Sequence, residues 1–374
     1  MLLLSKGLIS KAVRRINSYG IGNMEDPAVL QQMEAKYPER GHPLPTEVSR
    51  GQCVDNLRGL RGVLLDLNAG VSPGTGGMGP EYLTCLAEVW GEEQMDLLEQ
   101  FGLRYLTGQL PPWWYKVWLS LTTVALFKTP DQEAVRPVGI EPCLARNFHK
   151  MVNKDNRPVL VKYFEPQQVV VSVAGGAKLV MSIRMMSEAN PNFIVVKCDI
   201  KNAFNSVSRS QVLKVLEGEE DLKHLAWHAA LSLASSNALE SGGKVWGQAN
   251  EGATQGDPEA GTYFCAAWHP ALRELDREIA VAGGAAKAGM DDLFVAGPAE
   301  AVFPALERFW QEVEETCLLK LERSKTEVFT WSEQLPESTP AGLTVAGNRV
   351  NGQFLPGFMC YGIPIGVPGY VAFS

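Results

Sequence analysis

Apolar and polar positions after residue 190 alternate between the spacing of strands and the spacing of helices. Residues 193–199 form an almost continuous apolar run that ends in Asp199, which predicts a buried strand. The predicted elements are, in order, a strand over 193–199, a helix that begins at Ser208, a helix over 258–282, two short strands over 288–297, a helix over 298–319 and a strand over 325–331. This order is typical of an antiparallel sheet of ferredoxin-like type, backed by helices. The pattern therefore predicts an α+β fold.

The start of the chain has a different pattern. Ile9, Val13 and Ile16 have helical spacing, whereas residues 38–51 are polar and rich in turn formers. We therefore predict an N-terminal helical extension and linker over residues 1–50.

The overall charge of the chain is acidic. The 374 residues include 34 Lys and Arg against 42 Asp and Glu, which gives a formal net charge of −8. Taken alone, this charge argues against a nucleic-acid partner, because phosphate contacts need Lys and Arg. Basic residues nevertheless gather in one segment: Arg136, Arg146, His149, Lys150, Lys154 and Arg157. Local fields rather than net charge govern such contacts, so the acidic balance does not exclude a phosphate-bearing partner at this segment.

Cysteine spacing and targeting signals indicate the compartment. The seven cysteines are scattered and lack the spacing of zinc ligands, so we predict reduced thiols and no structural zinc site. The N-terminal apolar run is too short for a signal peptide, and no apolar stretch is long enough to span a membrane. We therefore expect an intracellular protein of the nucleus or cytoplasm, neither secreted nor bound to a membrane.

Three carboxylates lie at apolar strand ends. Asp199 ends one predicted strand, and Asp291 and Asp292 lie side by side within another apolar run. A carboxylate in such surroundings is costly unless it is protonated, paired or bound to a metal. Adjacent strands of one sheet would bring the two places together, where Mg²⁺ takes a few carboxylates plus substrate phosphates. The pattern is suited to phosphoryl transfer with two metal ions.

The segments around these carboxylates resemble the reverse transcriptases of retrotransposons that lack long terminal repeats, the LINE-like elements. The matching segments are SPGTGGM at 72–78, RPVGI at 136–140 (the fingers motif), DIKNAFNSV at 199–207 (the first catalytic motif), EGATQGDP at 251–258 (the second), GMDD at 289–292 (the third), LERSKTEVF at 321–329 (the fourth) and CYGIPIG at 360–366 (the fifth). No single motif is specific, but their order is. The resemblance covers roughly residues 60–374.

This resemblance implies a right-hand polymerase fold of fingers plus a ferredoxin-like antiparallel palm. The fingers would be mainly residues 51–192 and the palm mainly residues 193–374, with residues 210–251 returning to the fingers. Since the chain stops just after the fifth motif, we expect the thumb to be absent or incomplete. We accordingly expect a fragment or remnant of a retroelement with weak or no processive synthesis on its own. Without a thumb, and with template meeting the basic segment of the fingers, we expect it to hold duplex weakly and with steep salt dependence.

The resemblance also implies a metal site and a reaction. Asp199, Asp291 and Asp292 would be the catalytic carboxylates and metal ligands: Asp199 and Asp291 would hold two Mg²⁺ ions, or Mn²⁺ in their place, with Asp292 beside them. The chain would act as an RNA-directed DNA polymerase that uses an RNA template, a DNA primer and deoxynucleotide triphosphates. Lys325 matches the lysine that protonates the leaving pyrophosphate.

Four further residues match substrate-binding positions of the family. Arg136 matches the fingers arginine that grips the incoming triphosphate, for which a planar guanidinium is suited. Phe204 matches the bulky gate that excludes a ribose 2′-hydroxyl. Gln255 and Gly256 would line the nucleotide and template pocket. The third motif departs from the family pattern, because Gly289 stands where an aromatic residue is usual, and we expect looser packing near the primer end.

Three alternatives stay open at this point. An RNA-dependent RNA polymerase also carries paired aspartates, but its first motif usually has a second Asp where this chain has Phe204. A domesticated or inactive element would bind nucleic acid without catalysis. An α+β metabolic enzyme that uses Mg²⁺ and a phosphate substrate lacks support from any Walker or dinucleotide-binding motif here.

Overall fold

The computed structural model describes residues 19–169, 171–332 and 334–373, so the helix predicted before Tyr19 lies outside it. The helices are α1 (Pro27–Glu34), α2 (Leu60–Leu65), α3 (Pro80–Val89), α4 (Glu92–Leu106), α5 (Pro112–Trp118), α6 (Cys143–Phe164), α7 (Gly175–Ala189), α8 (Ala203–Ser206), α9 (Arg209–Gly218), α10 (Lys223–Leu233), α11 (Ala260–Ala280), α12 (Ala299–Cys317) and α13 (Pro368–Phe373). The strands are β1 (Leu121–Phe127), β2 (Val135–Ile140), β3 (Ile194–Cys198), β4 (Ile200–Lys201), β5 (Asn237–Ser241), β6 (Lys244–Ala249), β7 (Ala285–Gly289), β8 (Asp292–Gly297), β9 (Lys320–Leu321), β10 (Glu327–Phe329), β11 (Thr344–Val345), β12 (Gly347–Val350), β13 (Gln353–Cys360) and β14 (Ile363–Gly366). Within these ranges, none of the helices combines the length and apolarity needed to cross a membrane.

The central sheet has five strands in the order β11-β10-β3-β8-β7. Strands β10, β3, β8 and β7 pair antiparallel, and β11 runs parallel to β10. The helices and strands predicted after residue 190 are confirmed, since hairpin β7–β8 lies between α11 and α12 as the pattern indicated. The chain has a mixed α/β architecture, which is compatible with the predicted α+β class.

Both faces of this sheet are covered, because its strands are apolar at successive positions. Ile194 and Val196 of β3 face the cluster that includes α11 and α12. Val195 and its neighbour Phe294 face a second cluster, built with α7, β13 and β14. Burial on both faces fixes β3 in the middle of the sheet, and Asp199 directly follows the end of this central strand.

A second sheet has the strand order β2-β1-β5-β6. Strand β1 pairs antiparallel with β2 and parallel with β5. Residues 237–249 therefore return to the sheet that residues 121–140 begin, after the chain has passed through β3 of the central sheet. Helix α1 packs on β2 through Val29 and Met33.

The described part of the N-terminal segment packs along the body of the protein. The Gly22 N–H donates to the Ala125 carbonyl at 2.8 Å, next to the bridge between Ile21 and Leu126. Further along, the Gly41 N–H donates to Glu251 Oε1 at 3.0 Å. The stretch predicted as a linker, residues 38–51, has no helix or strand, but such contacts fix its course.

Candidate active site

The motif residues meet at one cavity of about 390 Å³ between the two sheets' ends. Six of the eight predicted site residues line it: Arg136, Asp199, Phe204, Gln255, Asp291 and Lys325. Four charged residues that the motifs did not single out as site residues also line it: Lys36, Lys128, Lys201 and Glu322. We call this the motif cavity.

The other two predicted residues lie nearby. Gly256 lines an adjoining cavity of about 580 Å³, and Phe204 and Gln255 line both cavities. Asp292 is not among the residues that line the motif cavity, although its neighbour Asp291 is. The two adjacent acids thus have different surroundings.

Strand pairing explains the position of Asp199. Cys198 is the last residue of β3 and pairs with Leu293, so Asp199 comes next to the end of β8 where the paired acids begin. The Glu322 N–H donates to the Asp199 carbonyl at 2.8 Å, which fixes the backbone there. Burial raises the pKa of the Asp199 carboxyl; Lys325 opposes this, and Asp291 and Glu322 reinforce it. Carboxylates crowded in this way favour a bound cation.

A side chain outside the recognised motifs holds the turn that presents Asp291. Met290 has a left-handed backbone, with φ of 58°, at the two-residue turn between β7 and β8. The fully buried Gln168 accepts from the Met290 N–H at 2.9 Å and donates to its carbonyl at 3.3 Å. Gln168 is therefore a positioning residue for Asp291, and no local sequence pattern indicated it.

Positive charge is concentrated in the motif cavity despite the acidic composition. Five basic side chains line it, against the three acids Asp199, Asp291 and Glu322. Burial lowers the pKa of Lys128, and the nearby Lys36 and Arg136 lower it further. Such a cavity is suited to a polyanion, because phosphate oxygens would relieve the repulsion between these cations. The net charge of the chain therefore does not describe the local charge of this cavity.

The loop of the second motif approaches strand β2 closely. Gly256 has φ of +121°, and a Cβ placed on it would lie 2.3 Å from the Gly139 carbonyl oxygen. The Gly139 N–H donates to the Gln255 carbonyl at 3.1 Å. Since both contacts are with backbone, only glycine fits, and the loop is fixed against the strand that carries Arg136.

Phe204 is packed as a wall between the two cavities. It lies two residues after Asn202, whose left-handed backbone precedes the short helix α8. Its ring stacks on Phe264 of α11, with the centroids 4.8 Å apart and the planes at 24°. This contact holds the ring in place beside the motif cavity.

The predicted basic segment divides into two parts. Lys150, Lys154 and Arg157 line the adjoining cavity, which makes that cavity a candidate surface for nucleic acid. His149 is fully buried, and the Arg146 guanidinium donates to the Ser72 carbonyl. Only part of the segment is therefore available to a phosphate backbone.

The space over Gly289 is filled by another residue, which corrects the expectation of loose packing there. A Cβ on Gly289 would lie 2.1 Å from the hydroxyl oxygen of Tyr361, which belongs to the fifth motif. That hydroxyl donates to the Gly289 carbonyl at 2.7 Å. The ring missing from the third motif is thus supplied from the turn between β13 and β14.

We expect Gly289 and Tyr361 to be energetically coupled. Tyr361→Phe removes the hydrogen bond and should lower the free energy of unfolding by about 1 kcal/mol. Gly289→Ala should cost more, because the tyrosine must move away. In a Tyr361→Gly background, Gly289→Ala should be tolerated, because the hydroxyl that it would meet is gone. Glycine is also suited to the left-handed backbone at position 361, where φ is 50°. Equilibrium unfolding in urea gives the free energy of unfolding of the wild type, Gly289→Ala, Tyr361→Gly and the double variant. Additive effects of the two substitutions would contradict the coupling.

The residues of the motif cavity fit Mg²⁺ as donors. Asp199 and Asp291 offer carboxylate oxygens, which Mg²⁺ prefers, and substrate phosphates commonly complete its coordination. In the described residues, groups of three or more ligand atoms within 4.8 Å of one another occur around His149, and the three aspartates are not such a group. Comparison of the chain with protein-family models and with curated proteins finds no match.

Proposed function

We propose that the chain is a template-directed nucleotidyltransferase, an RNA-dependent DNA polymerase of reverse transcriptase type. The observation that carries the proposal is the motif cavity itself. Residues from separate motifs, far apart along the chain, line this one space together with additional cations. A chance match of short motifs would not bring their charged residues to one cavity.

The topology of the central sheet supports the finer fold assignment. If the four antiparallel strands β3, β7, β8 and β10 are numbered one to four in chain order, they lie side by side in the order 4-1-3-2. This is the order of a ferredoxin-like sheet, as expected for a polymerase palm, with the acids at one end of its two middle strands. The proposal takes residues 51–192 mainly as fingers and residues 193–374 mainly as palm.

The reaction is the one that the family resemblance implies, and the charges around the cavity suit it. The primer 3′-hydroxyl would release its proton to solvent as its oxygen bonds to the α-phosphorus of a deoxynucleotide triphosphate, the bond to pyrophosphate would break, and Lys325 would donate a proton to that leaving group. Bound Mg²⁺ ions would supply charge stabilisation at the reacting phosphate. Asp199 and Asp291 would hold the ions, and Arg136 would bind the triphosphate through its planar fork of donors.

Lys36 and Lys128 extend this triphosphate site. Both line the motif cavity, and the pKa of Lys128 is lowered by burial and then by Lys36. The Asn202 side-chain amide donates to the Lys36 carbonyl at 2.8 Å, which attaches the N-terminal segment to the first motif. The proposal therefore includes the N-terminal segment in the substrate site.

Primer extension on RNA and DNA templates with Mg²⁺ tests the proposal directly. Incorporation of deoxynucleotides that depends on the divalent ion would support it. Binding of RNA with no incorporation under any template, primer or ion would overturn it in favour of a non-catalytic nucleic-acid-binding protein.

Phe204 is expected to set the choice between deoxynucleotides and ribonucleotides. In Phe204→Ala the wall of the cavity recedes, and discrimination against ribonucleotides should fall by about 10- to 100-fold, the scale of a single pocket contact. The ratio of kcat/KM for the two nucleotide classes measures this. Phe204→Tyr keeps the ring and should keep the ratio. Wild-type preference for ribonucleotides would favour an RNA polymerase instead.

A further inference from the structure

A second group of titratable side chains lies outside the motif cavity, buried behind the second motif. It brings together Glu141, which follows β2, His149 of α6, and Asp257 and Glu259, which precede α11. The side chains of these three acids are 7%, 6% and 4% exposed, and that of His149 is fully buried. Their positions along the chain are far apart, so no ligand spacing was visible in the sequence.

The three carboxylates converge on one ring nitrogen. His149 Nδ1 lies 3.2 Å from Asp257 Oδ1, 3.4 Å from Glu141 Oε2 and 3.7 Å from Glu259 Oε2. A single N–H can serve only one of them well, and it bonds Asp257. Glu141 Oε2 is buried and makes no hydrogen bond, and its ion-pair partner is the same His149 Nδ1, at 3.4 Å. Because the one N–H is already bonded to Asp257, a metal ion would satisfy this oxygen where the shared imidazole does not.

We propose that this group is a binding site for a divalent transition-metal ion, Zn²⁺ in the first instance. In a tetrahedral site with bonds of 2.0–2.1 Å, neighbouring ligand atoms lie about 3.3 Å apart. The distances from His149 Nδ1 to Asp257 Oδ1 and Glu141 Oε2, 3.2 and 3.4 Å, bracket that value. The ligands would be His149 Nδ1 and one oxygen each from Glu141 and Asp257, whose ligand atoms lie within 4.8 Å of one another, and a water molecule would complete the set. Imidazole together with carboxylates is a donor set for Zn²⁺ rather than for the oxygen-only coordination that Mg²⁺ prefers.

Neighbouring groups are placed to support these ligands. Tyr105 Oη lies 3.1 Å from His149 Nε2, so this second ring nitrogen has a partner while Nδ1 faces the acids. His228 Nε2 lies 2.7 Å from Glu259 Oε2 and keeps that carboxylate beside the His149 ring, outside the three ligands. Asp257 also lines the adjoining 580 Å³ cavity, which offers the ion a route of entry.

The ion would tie the second motif to the rest of the protein. Asp257 follows Gln255 and Gly256 directly, and its Oδ1 also accepts from the Glu259 N–H at 2.8 Å. Binding would fix this loop against α6 and the end of β2. The site is separate from the aspartates of the motif cavity, and the inference does not depend on the proposed polymerase activity.

The test is the metal content and zinc affinity of the full chain. After equilibration with Zn²⁺ and removal of excess, the wild type should retain one ion per chain and unfold at a higher temperature than the metal-free protein. Glu141→Gln and His149→Gln should weaken zinc binding by about 100-fold or more, beyond the effect of losing a supporting residue. Wild type that retains no zinc, or Glu141→Gln that binds as tightly, would overturn the proposal.

Two controls separate this site from others. His269→Gln changes another buried histidine, whose Nε2 bonds the Tyr163 carbonyl, and should leave zinc binding unchanged. The double variant Asp199→Asn with Asp291→Asn should lose polymerase activity and keep its zinc, so the two proposals fail independently. If a ligand variant does not fold, X-ray absorption at the zinc edge of the wild type decides. Four nitrogen and oxygen ligands including imidazole support the site, and sulfur ligands or a hydrated six-coordinate ion contradict it.

Discussion

Asp291→Asn is expected to lower kcat for primer extension by about 10³-fold or more, because a metal ligand at the reacting phosphate supplies several kcal/mol of charge stabilisation. The side chain lines the motif cavity with Asp199 at the turn that Gln168 holds. Asparagine keeps the shape of the side chain and removes its charge. Single-turnover extension under saturating deoxynucleotide measures the effect on the chemical step.

The adjacent Asp292 provides a matched control. It differs from Asp291 in that it does not line the motif cavity, so Asp292→Asn should reduce extension less. Both variants should fold, because burial and the Asp291 charge raise the pKa of Asp292 and neutral asparagine removes that repulsion. Extension at the wild-type rate in Asp291→Asn would contradict the metal assignment. Equal losses in both variants would show that the two acids act together.

Gly256→Ala is expected to lower the free energy of unfolding by about 2–4 kcal/mol, through backbone strain and overpacking together. The added Cβ would lie 2.3 Å from the Gly139 carbonyl oxygen, and φ of +121° is a conformation that side chains rarely adopt. No side-chain rotation relieves a contact with backbone. The loop must move, which displaces Gln255 from the motif cavity and should also reduce extension.

A glycine in open space is the control for that substitution. Gly62 lies inside helix α2, and a Cβ there meets nothing within 4 Å. Gly62→Ala should be neutral or slightly stabilising, because alanine favours the helix. Urea denaturation compares the two variants. A Gly256→Ala protein as stable as Gly62→Ala would mean that the loop does not approach β2 in solution.

The hydrophobic pattern predicted the strands and helices of the central sheet well, because the spacing of apolar residues within each element is a local signal. Strand β3 reads as an apolar run and helix α12 as an amphipathic stripe, and each is found close to its predicted bounds. Asp199 was indicated for the same reason, since an acid that ends an apolar run is conspicuous. Such signals are local, so they survive without knowledge of the tertiary fold.

The remaining site residues depend on long-range contacts that leave no local pattern. Lys36 lines the motif cavity, and its carbonyl accepts from the Asn202 side chain more than 160 residues away, a contact that nothing near Lys36 indicates. Gln168 acts across more than a hundred residues on the Met290 backbone. Glu and His are residue types that are common at protein surfaces, so the sequence does not mark Glu141 and His149 as buried. Only the fold places them beside Asp257.

The contact between Gly289 and Tyr361 has a consequence for the interpretation of sequences related to this chain. The Tyr361 hydroxyl lies where a Cβ on Gly289 would be, so a side chain at position 289 and the tyrosine at position 361 exclude each other. In an alignment, a large residue at the first position should accompany a small one at the second, and the reverse. A position-by-position profile would score each chain of this kind as degenerate at one motif, although the volume enclosed beside the paired acids is unchanged. Covariation between the two columns is therefore the better measure of whether the site has been maintained.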